Sequence, residues 1–548
     1  MTRGMPQRSW VILLMVLFVL GALRLWPDLS TDRLPGHVDA WAQLAMFEEL
    51  NGLVQNPTSI FTPQQGFLYP YRHSWKAFGL DFGSGILYLP FLWLTDQPFL
   101  GFWLTIITIC GLNGVAMFIL GRELFTTRTA RWMVSALLVV HPFILMHLEW
   151  PNLLTLFPGI LAVSILLRFR QWTGDPRRHR FFYGLCLAQL LLSPYGFILL
   201  GITCLFLLPK TYSIARSTIR TGRGVGLLAI LVASIVGFTV VYFVQIPHDA
   251  TNALEGIAHA ATRSSWSDLI TPPPRHGIWS SILTHRPSGP HNSLFPGLIA
   301  TVLIVIGARS SPRLAICAGI LLVAGSTIGG LDGPQILQSA DDLFVSVFRV
   351  PSRLNLLVFF FLTCLAGIGI DVVHKSGKAG PLASVVLAVI VIAECLPWSP
   401  HTLDTRANWR HTSSMDHHLR TSGWPDRPVV LFLPIGTCEG LRSGDEYIRM
   451  FRRHRQNSIL MNGNAAYYPV HQTRITCLLQ RSLEQSSSDR LCRLLRQYRV
   501  NFVINERSRT SENLSLLEVS PCLSIVTHSV NETLYYVGSE RKDGILRR

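Results

Sequence analysis

The chain has 548 residues, of which 49% are hydrophobic and only 15% are charged. Together with a mean hydropathy of +0.34, this composition favours helices solvated by lipid over a water-soluble protein of the same length. The net charge of +16 does not indicate a nucleic-acid partner, because the basic residues lie in short segments between long apolar runs, where they set membrane topology.

Eleven apolar runs approach the length of a membrane-spanning helix. The first follows Arg3 and Arg8 and has no small-x-small cleavage site at its end, so we expect a retained helix rather than a signal peptide. Two short runs, 181–193 and 196–209, form either two tilted spans or one broken element. The sequence therefore predicts an all-α polytopic membrane domain over residues 1–396, with apolar runs at 10–26, 98–121, 130–148, 152–168, 181–193, 196–209, 224–245, 293–308, 313–329, 353–373 and 379–396.

The basic segments all fall on one side of the membrane when the N-terminus is placed in the cytoplasm, as the positive-inside rule requires. An apolar stretch at 77–94 would invert every later loop if it spanned, so we expect an interfacial or re-entrant helix there, on the outer face. It belongs to a long first outer loop, 27–97, with juxtamembrane helices. The predicted cytoplasmic segments are 1–9, 122–131, 168–180, 210–223, 309–313 and 374–378.

From residue 397 to residue 548 the composition is that of a soluble domain, and an odd number of spans places it outside the cytoplasm. Strand-like runs at 429–433, 500–505, 523–526 and 533–537, with a helical pattern at 486–498, predict a small α/β domain. Its four cysteines permit two disulfides in three connectivities, which the sequence leaves open: Cys438, Cys477, Cys492 and Cys522.

Two acidic residues are expected on the outer face. Asp39 precedes a helix-like stretch in the first loop, where it either caps that helix or serves chemistry. Glu149 lies on the predicted outward turn at 149–152, where it is either an interfacial acid beside Trp150 or a second functional carboxylate. Two acids that converge from separate loops can bind a divalent metal, or act as general base and orienting group for an acceptor hydroxyl.

Two arginines, Arg349 and Arg353, precede the tenth run on the outer side. Because outward arginines oppose the positive-inside bias, they indicate either an anionic partner such as a lipid phosphate or ordinary contact with headgroups.

Several short motifs resemble those of the GT-C superfamily of integral-membrane glycosyltransferases, and most closely its YfhO-like bacterial branch, near the aminoarabinose and protein O-mannosyltransferases. They are Gly36-His-Val-Asp39 with Trp41, Tyr69-Pro70, Gly121-Arg-Glu-Leu, His141-Pro-Phe-Ile-Leu-Met-His-Leu-Glu-Trp-Pro-Asn152, Phe348-Arg-Val-Pro-Ser-Arg353, Val429-Val-Leu-Phe-Leu-Pro434 and Tyr498-Arg-Val-Asn-Phe-Val-Ile504. Two features depart from that superfamily: Asp39 is followed by Ala40 rather than a second acid, and the Trp-Trp-Asp motif of oligosaccharyltransferases is missing.

The resemblance implies inverting transfer of a sugar from a polyprenyl-phosphate donor to a glycan, lipid or protein acceptor, at the periplasmic face of a bacterial inner membrane. Asp39 and Glu149 match its acidic positions, either without a cofactor or as ligands of Mg²⁺ or Mn²⁺. The implied substrate-binding residues are His37, Trp41, Tyr69, His147, Asn152, Arg349 and Arg353. The alternatives are a transporter or flippase for a lipid-linked sugar and a non-catalytic membrane assembly protein on the same fold.

Overall fold

The fold combines a helical bundle with a small mixed sheet. The computed structural model describes residues 33–35, 39–55, 83–168, 176–221, 225–239, 250–252, 269, 271–272, 279, 293–327, 354–395, 402–404, 419, 428–433, 459–460, 467–506, 514–528 and 532–538. The chain divides into two compact units. The first contains Met1–Ser30, Pro90–Gly237 and Leu254–Thr402, and the second contains Thr31–Leu89, Phe238–Ala253 and Leu403–Arg548.

The first outer loop contributes a short strand and two helices: β1 (Arg33–Pro35), α1 (Asp39–Gln55) and α2 (Gly85–Thr95). Helix α2 lies in the apolar stretch that the sequence assigns to the membrane surface. Its 11 residues rise only about 16 Å at 1.5 Å per residue, roughly half the thickness of a hydrocarbon core. This length agrees with the expected interfacial or re-entrant helix.

The bundle is built from apolar helices that overlap ten of the eleven predicted runs; the first run, 10–26, lies outside the described residues. The helices are α3 (Pro98–Leu124), α4 (Arg128–Val140), α5 (Pro142–Leu145), α6 (Pro151–Leu154), α7 (Phe157–Arg168), α8 (Pro176–Leu192), α9 (Pro194–Phe206), α10 (Leu208–Thr221), α11 (Val225–Thr239), α12 (Leu298–Ser310), α13 (Pro312–Thr327), α14 (Asn355–Lys375) and α15 (Gly380–Cys395).

Within the described residues, three helical stretches are long and apolar enough to cross a membrane: Pro98–Leu124, Pro151–Arg168 and Asn355–Lys375. Two helix pairs meet the same test only together, and they bend sharply at the junction, by 99° between α9 and α10 and by 119° between α12 and α13. If each bent pair is one span, the described part of the chain has five. The total of eleven spans stays a prediction.

Two predicted boundaries are wrong. The run at 130–148 is not one helix, because α4 ends at Val140 and the chain then passes through the one-turn helices α5 and α6 before α7 begins. Pro142 is the cause, since the residue before a proline avoids helical geometry and His141 is extended, with φ −68° and ψ 136°. The second is the end of the run at 196–209, because α9 ends at Phe206 and α10 then occupies most of the predicted cytoplasmic segment 210–223.

Helices α12 and α14 approach each other closely through a pair of glycines. A Cβ atom on Gly307 would lie 2.8 Å from the carbonyl carbon of Leu365, and one on Gly369 would lie 2.9 Å from the carbonyl carbon of Leu303. Small residues that bring two backbones together are a common means of helix packing in membranes, where water exclusion does not drive association.

Asp371, near the end of α14, fastens this helix to the junction between α3 and α4. Its carboxylate accepts hydrogen bonds from the backbone N–H groups of Thr126 (2.6 Å) and Thr127 (3.0 Å) and from both threonine hydroxyls. Arg168 forms an ion pair with Glu123, and the Lys210 ammonium donates to the Leu167 carbonyl at 3.2 Å. Three segments predicted to be cytoplasmic, 122–131, 168–180 and 210–223, therefore meet the C-terminal end of α14 at one end of the bundle.

The C-terminal part of the second unit is a five-stranded sheet of order β5-β4-β7-β9-β8. Strand β4 pairs in parallel with β5 and β7, while β9 pairs antiparallel with β7 and β8. Two short strands, β1 and β3, pair with each other, and so do β2 and β6. The strands are β2 (Ala250–Asn252), β3 (Thr402–Asp404), β4 (Val429–Leu433), β5 (Ile459–Leu460), β6 (Tyr467–Pro469), β7 (Phe502–Glu506), β8 (Leu523–His528) and β9 (Glu532–Val537).

Three helices pack on this sheet: α16 (Val470–Glu484), α17 (Ser488–Gln497) and α18 (Leu514–Val519). Their apolar side chains, among them Leu479, Leu495 and Leu517, form one buried core with the strands. A disulfide joins Cys492 of α17 to Cys522, just before β8. The predicted α/β architecture is therefore confirmed, with one of the possible disulfides; Cys477 is a free thiol and Cys438 lies outside the described residues.

Candidate functional site

The segment between α4 and α7 carries the conspicuous cluster of polar side chains that the sequence predicts near Glu149. It begins after Val140, where Pro142 ends the regular hydrogen bonding of helix α4. His141 then caps the one-turn helix α5, because its Nδ1 accepts a hydrogen bond from the Phe143 N–H at 3.1 Å. A cap that satisfies a buried N–H lets the chain turn sharply inside the bundle without leaving that group unbonded.

His147 has a defined tautomer in this segment. Its Nδ1 donates to the Phe143 carbonyl at 2.7 Å, so in the neutral ring the lone pair lies on Nε2. The ring is 4.7 Å from the Phe143 ring and 5.7 Å from the Trp150 ring, measured between centroids. On its other side Phe143 stacks on Phe359 of α14, at 5.0 Å. These contacts hold the imidazole in one orientation.

Glu149 is completely buried, with 0% of its surface exposed, and His147 and Asn152 are almost as deeply buried. This burial argues against the alternative in which Glu149 is an ordinary interfacial acid beside Trp150. Because a buried carboxylate is costly unless polar groups surround it, a wholly buried glutamate in a short turn is a strong candidate for a functional group. The Oδ1 atom of Asn152 is also buried and accepts no hydrogen bond from the described residues.

Asn113, on α3, holds the far end of this segment. Its Nδ2 donates to the Leu154 carbonyl at 2.6 Å, and its Oδ1 accepts from the Leu156 N–H at 3.2 Å. Both backbone groups lie at the break between α6 and α7, where the regular helical ladder stops. One buried amide thus fixes the position of the chain just after Asn152.

Gln189, on α8, makes a second connection of this kind. Its Oε1 accepts from the Gly159 N–H at 2.8 Å, while its Nε2 donates to the carbonyls of Thr155 at 2.8 Å and Ser193 at 3.3 Å. The same side chain therefore links the start of α7 to the break between α8 and α9. The sequence interpretation missed both amides, although a single polar residue inside an apolar run is the signal that would have found them.

A narrow apolar groove of about 40 Å³ begins beside these breaks. It lies between the first turns of α7, α9 and α14, and its walls include Gly159, Gly196, Leu356 and Phe360. The two glycines also make room for Gln189, since a Cβ atom on Gly159 or Gly196 would collide with the Gln189 amide. A groove with apolar walls next to a buried polar segment fits a ligand that is part hydrocarbon and part polar.

In the second unit, α1 packs against the start of α2. Tyr88 donates its hydroxyl to the Glu48 carboxylate at 2.6 Å, and the rings of Phe47 and Tyr88 lie 5.2 Å apart. Trp41 is buried there, as are two polar atoms without a hydrogen bond among the described residues, Gln43 Oε1 and Ser84 Oγ.

Most of the remaining predicted site residues lie outside the described part of the structure. Helix α1 begins at Asp39 itself, whereas the sequence analysis places Asp39 before the helix. The Asp39 side chain lies outside the described part of the structure. His37, Tyr69, Arg349 and Arg353 lie outside it as well. In the described portion no group of three or more His, Cys, Asp or Glu residues is arranged to hold a metal ion. The pairing of Asp39 with Glu149 therefore stays a prediction.

No protein-family model matches the chain, and no curated protein sequence matches it. Solved structures with a similar fold include the following three. The arabinofuranosyltransferase AftD from Mycobacteria aligns with a TM-score of 0.58 and 14% identity over 98% of this chain and 42% of its own, so the present chain spans less than half of AftD. ArnT from Cupriavidus metallidurans, in the apo state, aligns with a TM-score of 0.51 and 11% identity over 97% of this chain and 98% of its own.

The third is the archaeal oligosaccharyltransferase AglB from Archaeoglobus fulgidus, in complex with an inhibitory peptide and a dolichol-phosphate. It aligns with a TM-score of 0.50 and 11% identity over 91% of this chain and 69% of its own. Identities this low carry information about the fold alone, and they do not distinguish one branch of the superfamily from another. The chain therefore has the fold of the GT-C integral-membrane glycosyltransferases.

Proposed function

We propose that the chain is a membrane glycosyltransferase of the YfhO-like branch that moves a sugar from a polyprenyl-phosphate donor to an acceptor, with inversion, at the outer face of a bacterial inner membrane. The observation that carries this proposal is the alignment with ArnT, which covers 97% of this chain and 98% of ArnT. The dolichol-phosphate in the AglB structure supports a lipid phosphate as the sugar carrier.

In the proposed reaction an acceptor hydroxyl attacks the anomeric carbon, the bond to the phosphate breaks, and the polyprenyl phosphate leaves. Asp39 is the general base that takes the hydroxyl proton, or a ligand of Mg²⁺ or Mn²⁺, and Glu149 assists it. Arg349 and Arg353 stabilise the leaving phosphate, on which negative charge grows in the transition state. His37, Trp41, Tyr69, His147 and Asn152 contact the sugar or the acceptor.

The geometry of the Glu149 segment supports this assignment. Along this short segment a buried carboxylate follows a histidine of fixed tautomer and precedes an asparagine whose acceptor atom bonds to none of the described residues. Such groups can provide a proton acceptor and hydrogen-bonding partners for sugar hydroxyls. The adjacent groove offers an apolar surface for a hydrocarbon chain.

The proposed orientation in the membrane has independent support. The contacts of Asp371, Glu123 and Lys210 bring three of the predicted cytoplasmic segments, 122–131, 168–180 and 210–223, to one end of the bundle. The disulfide between Cys492 and Cys522 suits a C-terminal domain in an oxidising compartment. An extracytoplasmic domain over residues 397–548 and a cytoplasmic N-terminus satisfy both observations.

The test is sugar transfer by the purified full-length protein from a panel of polyprenyl-phosphate sugars, with and without EDTA. We expect wild-type protein to release polyprenyl phosphate and form product, and Asp39→Asn and Glu149→Gln to lose at least a hundredfold of that rate, as is usual when a general base is removed. Glu123→Gln is the matched control, because this glutamate pairs with Arg168 in a segment predicted to be cytoplasmic.

Retained activity in Asp39→Asn, at wild-type thermal stability, would remove that residue from the mechanism. A transporter or flippase gives a different result: the lipid-linked sugar crosses liposome membranes intact, and no polyprenyl phosphate is released. A non-catalytic assembly protein does neither, and its cellular phenotype survives both acid substitutions.

A further inference from the structure

Helix α10 leaves the direction of α9 by 99° after a single intervening residue. Helix α9 is apolar throughout, whereas α10 is amphipathic and contains Lys210, Arg216 and Arg220 but no acidic residue. Because the run that forms α9 is predicted to cross the membrane, a helix at about a right angle to it is expected to lie along the membrane surface.

One face of α10 is fixed to the bundle. Ile214 and Thr218, which are four residues apart, are buried. The Thr218 hydroxyl accepts a hydrogen bond from Tyr183 of α8 at 3.1 Å, and Lys210 donates to the carbonyl of Leu167 at the end of α7. Because this face is held against the bundle, the remaining sides of α10 point away from it.

A second face is an exposed apolar stripe made of Leu208, Tyr212 and Ile219, whose exposed fractions are 56%, 61% and 69%. Their spacing of four and seven residues places them in one line along a helix of 3.6 residues per turn. Arg216 is also exposed. At about 100° per residue it lies nearly opposite Ile214 and borders the apolar stripe on its polar side, about 40° from Tyr212.

We propose that α10 binds the headgroups of anionic phospholipids in the leaflet at its end of the bundle, with the apolar stripe in the acyl region and Arg216 on the lipid phosphate. Charge complementarity supports this occupant, because Arg177 and Arg180 in the first turn of α8 are exposed as well and neither helix contains an acid. A basic stripe beside an apolar one is the pattern of helices that lie in anionic membranes. The proposal is independent of the transfer reaction.

The first test is the lipid preference of the full-length protein, measured as thermal stabilisation by phosphatidylglycerol or phosphatidylcholine titrated into detergent micelles. We expect stabilisation by phosphatidylglycerol, and an apparent affinity about fivefold lower in Arg216→Gln, which is the contribution of one cation near an anionic surface. The matched control is Arg313→Gln, an exposed arginine in the first turn of α13, which should stay within twofold of wild type.

Equal phosphatidylglycerol affinity in wild type and Arg216→Gln would overturn the proposal. So would full stabilisation by inorganic phosphate at the same concentration, since that result identifies a site for a free anion. Arg216→Gln can also lower the melting temperature in the absence of lipid. In that case the ratio of the apparent affinities for phosphatidylglycerol and phosphatidylcholine, compared between wild type and variant, still measures the contribution of Arg216.

The second test locates the apolar stripe by photocrosslinking in lipid nanodiscs. A benzophenone side chain at position 212 or 219 should capture phospholipid acyl chains, and one at exposed Ser213, on the polar side, should capture several-fold less. Equal capture at positions 212 and 213 would show that α10 does not lie in the interface as proposed.

Discussion

Replacing Gly369 with alanine tests the close packing of α12 against α14. The added Cβ would lie 2.9 Å from the Leu303 carbonyl carbon and 3.0 Å from its Cα, whereas carbon atoms in contact prefer about 3.5–4.0 Å. The obstacle is backbone, so no side chain can rotate away, and the helices have to separate by roughly 0.6 Å or more to restore that contact distance. Overpacking of this kind costs about 1–3 kcal/mol.

Against this cost, alanine is favoured over glycine in a helix by about 0.5–1 kcal/mol. We therefore expect Gly369→Ala to lower the free energy of unfolding by about 1–2 kcal/mol. Gly319→Ala, in α13, makes the same chemical change where no atom lies within 4 Å of the new Cβ, so it should raise that free energy slightly. The measurement is unfolding of the purified protein by SDS in mixed micelles. Equal effects of the two substitutions would refute the glycine contact.

Two further substitutions test other contacts. Asn113→Ala removes both hydrogen bonds to the break after α6 and should destabilise the protein by about 1–3 kcal/mol in the same assay. The control is Thr105→Val, which should not destabilise it, because the Thr105 hydroxyl bonds within α3. Equal stability of the two variants would show that Asn113 does not hold the break in place. Cys492→Ala opens a disulfide that spans 30 residues and should cost the second unit about 3.5 kcal/mol, seen as faster proteolysis of the C-terminal part; Cys477→Ala is the control with a free thiol, and equal proteolysis would contradict the prediction.

The positions of the helices could be predicted from the sequence because hydrocarbon solvation demands long apolar runs, and these are local signals. Strands β4, β7, β8 and β9 were predicted for a similar reason, since alternating and β-branched residues mark them. Helix ends were less predictable. The early end of α4 depends on Pro142, whose effect inside an apolar run is decided by what caps the next turn, here His141.

The charges of residues 210–223 predict a cytoplasmic segment, but charge alone does not indicate that α10 is a helix. Its position against the bundle depends on the burial of Ile214 and Thr218, and that burial is decided by how the helices pack. The partner of Cys492 was likewise open, because connectivity depends on which elements the fold brings together.

Only part of the candidate site could be predicted from the sequence. The position of Glu149 on a turn follows from the apolar runs on either side of it, but its complete burial does not. The amides of Asn113 and Gln189 lie 41 and 34 residues from the carbonyls to which they donate, those of Leu154 and Thr155. Such pairs depend on the packing of whole helices, which a local sequence pattern does not specify.

Helix α14 is anchored near both of its ends and in between. Phe359 stacks on His141 and Phe143, Gly369 abuts α12, and Asp371 is bonded to Thr126 and Thr127. A rod held at three points cannot tilt or slide without losing at least one of them. If the groove between α7, α9 and α14 widens to admit a hydrocarbon chain, the movement therefore has to come from α7 or α9 rather than from α14.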